Sequence, residues 1–241
     1  SFSSHMRVTS QNKSNYVGIP AFVSRVFRHS GFYIRTDRGI NKPEDLRGKL
    51  VGLPEYQVTE PVWMRGMLED EYGIKPEEIR WRSGGQEEAG RDERTPFEAP
   101  PGLDLQAIPQ DRTLVEMFEA GELDALMTAR APSSFDLGKP NIDRLWPNFR
   151  EVEKEYYRKT KMFPIMHLMG LRKDLHEAHP WLAGSIYKAL LQSRDIAYED
   201  LAKTAALSVA LPWVDAERRD TVELMGNDFW RYGIEECRHE I

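Results

Sequence analysis

Apolar residues fall in short blocks punctuated by glycine and proline, and the spacing inside the blocks changes along the chain. Tyr16–Pro20 (YVGIP) and Ser30–Arg35 (SGFYIR) are β-branched or aromatic runs that predict short buried strands. Lys49–Leu53 (KLVGL) predicts a third, stopped by Pro54, and Pro43–Leu46 (PEDL) predicts one helical turn with proline at its first position. Thr59 reads as the N-cap of a helix through Pro61–Tyr72, with Gly73 as its stop and Val62, Trp63, Gly66 and Met67 on one face. Ile79–Arg82 predicts a strand leading into the loop Ser83–Gly90, and residues 92–109, rich in proline and charge, read as an irregular insertion.

Further along, Asp111 is expected to cap a helix that runs through Ala120 and ends at Gly121, and Ala125–Thr128 predicts the next strand. A second set of elements starts at Phe163. Ile165–Leu171 is apolar enough for a central strand, and Pro180 opens a long helix in which Leu182, Ile186, Leu190 and Ala197 recur at near-helical spacing. Asp215–Met225 is the last predicted helix, closed by Gly226. No internal repeat is visible. Alternating strands and helices predict an α/β fold with a largely parallel sheet.

Composition narrows the class. The 241 residues suit one large domain or two modest ones, and 40% hydrophobic content is too high for a disordered chain. The longest nearly unbroken apolar stretch, Leu207–Val214, is far short of the ~18 residues of a membrane span. No signal or transit peptide is recognisable, and the single Cys237 cannot form an internal disulfide, so a reducing, cytoplasmic location is expected. The net charge of −6 is uneven: residues 1–50 hold nine basic and three acidic groups, so that segment is +6 and the rest −12. No Lys/Arg stripe or nucleic-acid-binding signature accompanies the basic segment, so nucleic acid is not an expected partner; a small anion is. An ordinary solvated basic surface explains the charge equally well.

Several common chemistries have no signature here. The chain has no GxxxxGKS/T phosphate loop, no GxGxxG after a strand, no GxSxG elbow and no HExxH pair. His176-Glu177-Ala178-His179 offers two imidazoles, but before Pro180 they read more simply as solvated residues at a helix start. Three polar segments lie beside predicted strand ends, where open α/β sheets bind ligands. In Arg25-Val26-Phe27-Arg28-His29-Ser30 a guanidinium can grip a carboxylate and an imidazole can move a proton; an Arg paired with a structural carboxylate and a space-filling His fit as well. Pro54-Glu55-Tyr56-Gln57-Val58-Thr59 leads into a helix N-terminus that can hold an anion, or is a plain cap. In Ser83–Arg91 the pair Gly84-Gly85 permits close backbone approach, while Glu87, Glu88 and Arg91 bring charge; an exposed turn is the alternative.

Together, RVFRHS, KPEDLRGKLVGLPEYQ, EYGI, GGQEEAGR, GELDAL and MFPIMH, in this order, resemble the 4,5-dihydroxyphthalate decarboxylase family over about Ser1 to Gly233. RHS, PEYQ and GGQEE discriminate; GELDAL is shared with the wider type II periplasmic substrate-binding-protein group. The resemblance implies a type II periplasmic-binding-protein-like α/β fold of two lobes around a ligand cleft. Lobe 1 would take residues 1–40 and 166–241, and lobe 2 residues 41–165, with crossings near Thr36–Pro43 and Phe163–His167. Family members begin earlier, with a strand–helix–strand unit, and continue beyond the equivalent of Ile241, so an incomplete lobe 1 is expected.

The implied activity is non-oxidative decarboxylation of 4,5-dihydroxyphthalate to 3,4-dihydroxybenzoate. Such chemistry needs a carboxylate anchor, a proton donor for the ring carbon, and an apolar wall around the departing CO₂. Under this resemblance Arg28 is the expected anchor, helped by the helix N-terminus at Tyr56–Thr59. His29 is the expected proton donor and His167 the second candidate, while Glu55 or Glu87 would take a catechol hydroxyl. Trp63 would stack on the ring or serve the core. Ser30, Gln57, Gly85, Gln86 and Arg91 complete the expected substrate contacts. No cofactor is required, although a divalent metal on the catechol oxygens is compatible. The expected partner is a small aromatic carboxylate, without membrane or nucleic acid, and a homo-oligomer is left open. The rival reading is a transporter's substrate-binding protein for an aromatic carboxylate, which needs the same anchor and no proton donor.

Overall fold

The computed structural model describes residues 1–94 and 97–241. In chain order its elements are α1 (Phe2–Ser10), β1 (Tyr16–Arg25), β2 (Phe32–Arg35), β3 (Leu50–Leu53), α2 (Thr59–Tyr72), β4 (Arg80–Ser83), β5 (Leu105–Ala107), α3 (Leu114–Glu119), β6 (Ala125–Met127), α4 (Ser133–Asp136), β7 (Ile142–Arg144), α5 (Phe149–Thr160), β8 (Ile165–Arg172), α6 (Lys173–Ala178), α7 (Trp181–Ala202) and α8 (Val214–Met225). They divide into two compact units, Ser1–Val26 with Lys154–Ile241, and Phe27–Glu153. The resemblance placed the boundaries near residues 40 and 165. Residues 27–40 fall in the second unit because β2 is hydrogen-bonded to β6 on one side and β7 on the other.

The unit Phe27–Glu153 is built on a six-stranded sheet of order β5-β4-β3-β6-β2-β7. β5, β4, β3 and β6 are parallel, as the alternation with helices predicts, but β2 is antiparallel to both its neighbours, which makes the sheet mixed. Helix α3 closes the sheet through Leu114, Val115 and Phe118, packed with Leu123, Leu126 and Tyr33. Each such buried side chain contributes about 1.5–3 kcal/mol. Gly52 is what lets α3 approach: a Cβ there would lie 2.6 Å from Leu126 and 3.0 Å from Leu114.

Helix starts differ from the sequence reading. Val58, not Thr59, is the N-cap of α2. Thr113 caps α3 in place of Asp111, because its hydroxyl accepts from the Glu116 N–H at 3.1 Å while Glu116 returns a bond to the Thr113 N–H at 3.0 Å. The buried face of α2 also differs: Val62 is exposed, and Met64, Met67 and Leu68 turn inward together with two charged residues, Glu60 and Arg65. The supposed insertion 92–109 contains β5.

The unit of Ser1–Val26 and Lys154–Ile241 holds a two-stranded antiparallel sheet, β1 with β8. Ile165–Leu171 is therefore not a central strand: Ile165, Met166 and Leu171 are buried, while His167, Gly170 and Arg172 are exposed. Its core joins Phe2, Ile19, Phe22, Ile165, Leu171 and Tyr232, and Leu182, Ile186 and Leu190 of α7 pack against it at the predicted spacing, whereas Ala197 is exposed. Arg25, at the end of β1, is buried and knits in the C-terminal segment: it donates to Glu240 at 3.0 Å, to the Phe163 carbonyl at 2.6 Å and to the Arg231 carbonyl at 2.9 Å.

Candidate active site

Because β3, β4 and β6 are parallel, their carboxyl ends lie along one edge of the sheet, the edge where open α/β sheets bind ligands. β2 is antiparallel to β6, with Phe32 opposite Met127, so Arg28–Gly31 before it reaches the same edge. The loops carrying RHS, PEYQ and GGQEE are thus gathered at one edge of the unit Phe27–Glu153. Close approach seats the first of them: the Thr128 N–H donates to the Gly31 carbonyl at 3.0 Å, and a Cβ on Gly31 would lie 2.7 Å from the Thr128 carbonyl oxygen. Gly31→Ala is expected to cost about 1–3 kcal/mol, measured by urea unfolding; unchanged stability would contradict this packing.

His29 is 1% exposed, and its ring meets the edge of Trp146 with centroids 5.2 Å apart. Trp146 also packs against Phe32 and Tyr72, which makes an apolar wall. His29 Nδ1 lies 4.0 Å from Glu153 of α5, and Glu153 also accepts the Ser30 N–H at 3.3 Å. Burial lowers the His29 imidazole to about 4, so it is neutral at pH 7. Burial pushes Glu153 up to about 7, against the backbone N–H groups of Ser30 and His29 and the charges of Arg28 and Arg144.

Arg28 is partly buried beside two carboxyls, Glu153 and Glu60; burial lowers its pKa and both acids oppose that. Glu60, in the first turn of α2, is 9% exposed, and burial pushes it up to about 7, against the charge of Arg28. Its Oε1 is buried with no hydrogen-bond partner among the described residues. Neither Glu60 nor Glu153 was singled out from the sequence. The available signal for Glu60 was its place directly after PEYQ and Thr59; Glu153 sits in a helix whose charge-rich sequence gives no such hint.

The other expected residues are placed as follows. Glu55 is 1% exposed, and its oxygens are taken by Arg91, by Arg94 Nε at 3.2 Å and by the Arg94 N–H at 3.3 Å. Tyr56 is clamped too: its N–H donates to Glu93, Arg65 sits 3.5 Å from its ring centroid and donates to its carbonyl, and Phe97 stacks on it. Residues 91–94 and Phe97 are thus strapped to the loop after β3. Gln57 and Trp63 are partly buried and Thr59 is buried. The carbonyls of Gly85 and Gln86 accept the Leu114 and Val115 N–H groups, capping α3. The Gln86 side chain accepts from the Thr128 hydroxyl, and Glu87 accepts the Ser133 N–H and hydroxyl at the start of α4, at 2.9 and 2.8 Å. The GGQEE word therefore serves two helix starts. His167 lies in the other unit, exposed on β8 opposite Ser24. Among the described residues no group of three or more His, Cys, Asp or Glu side chains is arranged to hold a metal ion, and none of the helices is long and apolar enough to cross a membrane.

The buried imidazole has a thermodynamic consequence. The unfolded chain takes up the His29 proton near pH 6.5, whereas the folded chain does so only near 4. This contribution to stability is thus present above 6.5 and lost as pH falls toward 4, on the order of 3 kcal/mol. Glu60 and Glu153 act oppositely, since the folded state holds their protons up to about 7. The difference between wild type and His29→Gln isolates the histidine: the wild type is expected to lose more stability between pH 6.5 and 4.5. Parallel pH curves from urea unfolding would contradict a neutral buried His29.

No family model matches the chain. Among solved structures it is similar to the periplasmic aliphatic sulphonate binding protein SsuA from Escherichia coli, with 13% identity and a TM-score of 0.41 over 90% of this chain and 63% of that one. Two curated proteins are similar in sequence, both named 4,5-dihydroxyphthalate decarboxylase. The one from Pseudomonas putida is 41% identical over 158 residues, 66% of this chain and 61% of that protein. The one from Comamonas testosteroni is 44% identical over all 241 residues, 73% of that protein. With 44% identity along its whole length to a protein of which it covers 73%, the chain belongs to the 4,5-dihydroxyphthalate decarboxylase family.

Proposed function

We propose that the protein is a carboxy-lyase that converts 4,5-dihydroxyphthalate to 3,4-dihydroxybenzoate and CO₂ in aromatic catabolism. The observation that carries this reading is Arg28, set beside two buried carboxyls at the ligand edge of the sheet in a chain of this family. The guanidinium takes the carboxylate that stays, through paired hydrogen bonds. The ring hydroxyl para to the other carboxylate supplies electron density, and the aromatic wall of Trp146, Phe32 and Tyr72 favours departure of a neutral CO₂ over a retained anion.

The roles expected for two residues change on this reading. His29 is neutral at pH 7 and is a weak acid in that form, so it positions the 28–31 turn instead of delivering the proton. Glu55, held by Arg91 and Arg94, fastens residues 91–94. The buried free thiol of Cys237 suits a cytoplasmic location. The reading uses no metal, and turnover is expected to survive exhaustive chelation. The test is incubation of pure protein with 4,5-dihydroxyphthalate: 3,4-dihydroxybenzoate is the expected product, whereas tight binding with the substrate recovered unchanged would favour a binding protein.

A further inference from the structure

A proton must reach the ring carbon, and the site holds two carboxyls that could carry it. They are not equivalent. Glu153 is engaged: it accepts the Ser30 N–H, and with the His29 backbone it holds the turn that seats Arg28. Glu60 is buried, yet its Oε1 has no partner among the described residues. A buried polar atom left so costs free energy unless something else uses it. It also stands in the first turn of α2, where the helix end favours an anion, so a carboxylate formed there after proton loss is supported.

We propose that Glu60 is the catalytic acid, the group that delivers the proton to the ring carbon losing its carboxylate. This rests on the decarboxylase reading above. The Glu60 O–H bond breaks and a C–H bond forms, using a ring π pair supplied by the para hydroxyl oxygen. The C–CO₂ bond then breaks, its electron pair restores the aromatic ring, and CO₂ leaves neutral. Glu60 is left as carboxylate and regains its proton from solvent, so each turnover consumes one proton. The substrate's own negative charge keeps Glu60 protonated before the step. Arg28 opposes that, while Glu153 nearby, sharing Arg28, adds to it when ionised; His29 is neutral and Arg144 faces Glu153.

The test uses Glu60→Gln and the unreactive analogue phthalate. General acids contribute about 100- to 10,000-fold, and a loss of kcat of that size is expected for Glu60→Gln, with phthalate affinity kept within a few-fold. Calorimetry in buffers of different ionisation enthalpy should show that wild type takes up protons on binding phthalate between pH 6 and 8, and that Glu60→Gln takes up fewer. Turnover within a few-fold of wild type, or unchanged proton uptake, overturns the assignment. So does a wild type that binds phthalate with no proton uptake, a result that needs no variant to fold. If wild-type protein releases no CO₂ from 4,5-dihydroxyphthalate, the decarboxylase reading fails and this assignment with it; an active Glu60→Gln beside an active wild type removes Glu60 alone.

Discussion

Replacing Arg28 with methionine is expected to weaken phthalate binding by about 2–5 kcal/mol, or roughly 30- to 5,000-fold, with a matching fall in kcat/KM. Two effects add. The ligand loses the guanidinium that holds its carboxylate, and Glu60 and Glu153 lose the positive charge that opposes their protonation. Both acids then titrate higher still, so the variant should also show its pH profile displaced to more alkaline pH. Methionine keeps much of the volume, which leaves the turn and its packing on Trp146 in place. Lysine in the same place is expected to restore part of the binding, since a point charge replaces a planar fork. Affinity within three-fold of wild type in Arg28→Met would remove Arg28 as the anchor.

The second large effect concerns Arg25, three residues before Arg28 in sequence but in the other unit. Arg25→Met is expected to destabilise the unit of Ser1–Val26 and Lys154–Ile241 by about 3–5 kcal/mol. Arg25 is 3% exposed and Glu240 4%, and the guanidinium also serves the carbonyls of Phe163 and Arg231 and lies 3.0 Å from the Cys237 sulfur. Removing it leaves Glu240 charged in the interior with the Phe163 N–H at 3.0 Å and Arg231 at 3.6 Å as remaining partners. The isolated charge is the main cost, so adding Glu240→Gln to Arg25→Met should recover part of the loss. Chemical denaturation of the two variants checks this, and limited proteolysis of the segment after Gly226 gives a local readout. Equal stability of wild type and Arg25→Met would show that the network contributes nothing net.

What the sequence could reveal depended on how far local pattern decides the outcome. The strands at Phe32, Leu50 and Ala125 were legible because each is a short apolar run cut off by glycine, proline or charge, whereas β1 was legible only to Pro20 and runs on to Arg25, and β4 (RWRS) was signalled by Ile79 and Trp81 alone. Strands β5 and β7 were not: each has three residues at a sheet edge, with half-exposed sequences (LQA and IDR) that carry no pattern. Helix α5 reads FREVEKEYYRKT and buries only Tyr156 and Tyr157 fully, so its apolar stripe is too thin to see. Helix α1 buries Phe2 alone. At the ligand edge of the sheet, the word RHS marked Arg28 and His29 as candidates. Glu60 was not, because the expected apolar face of α2 ran through Val62 and Trp63 while the real one admits charge. Glu153 joins the site only through folding. The neutral state of His29 was likewise invisible, since it comes from burial against Trp146.

The most direct test of the central claim is the reaction run in D₂O with pure protein and 4,5-dihydroxyphthalate. One CO₂ is expected for each 3,4-dihydroxybenzoate formed, with one deuterium at the ring carbon that lost its carboxylate. Substrate bound and recovered intact, with no CO₂, would contradict it.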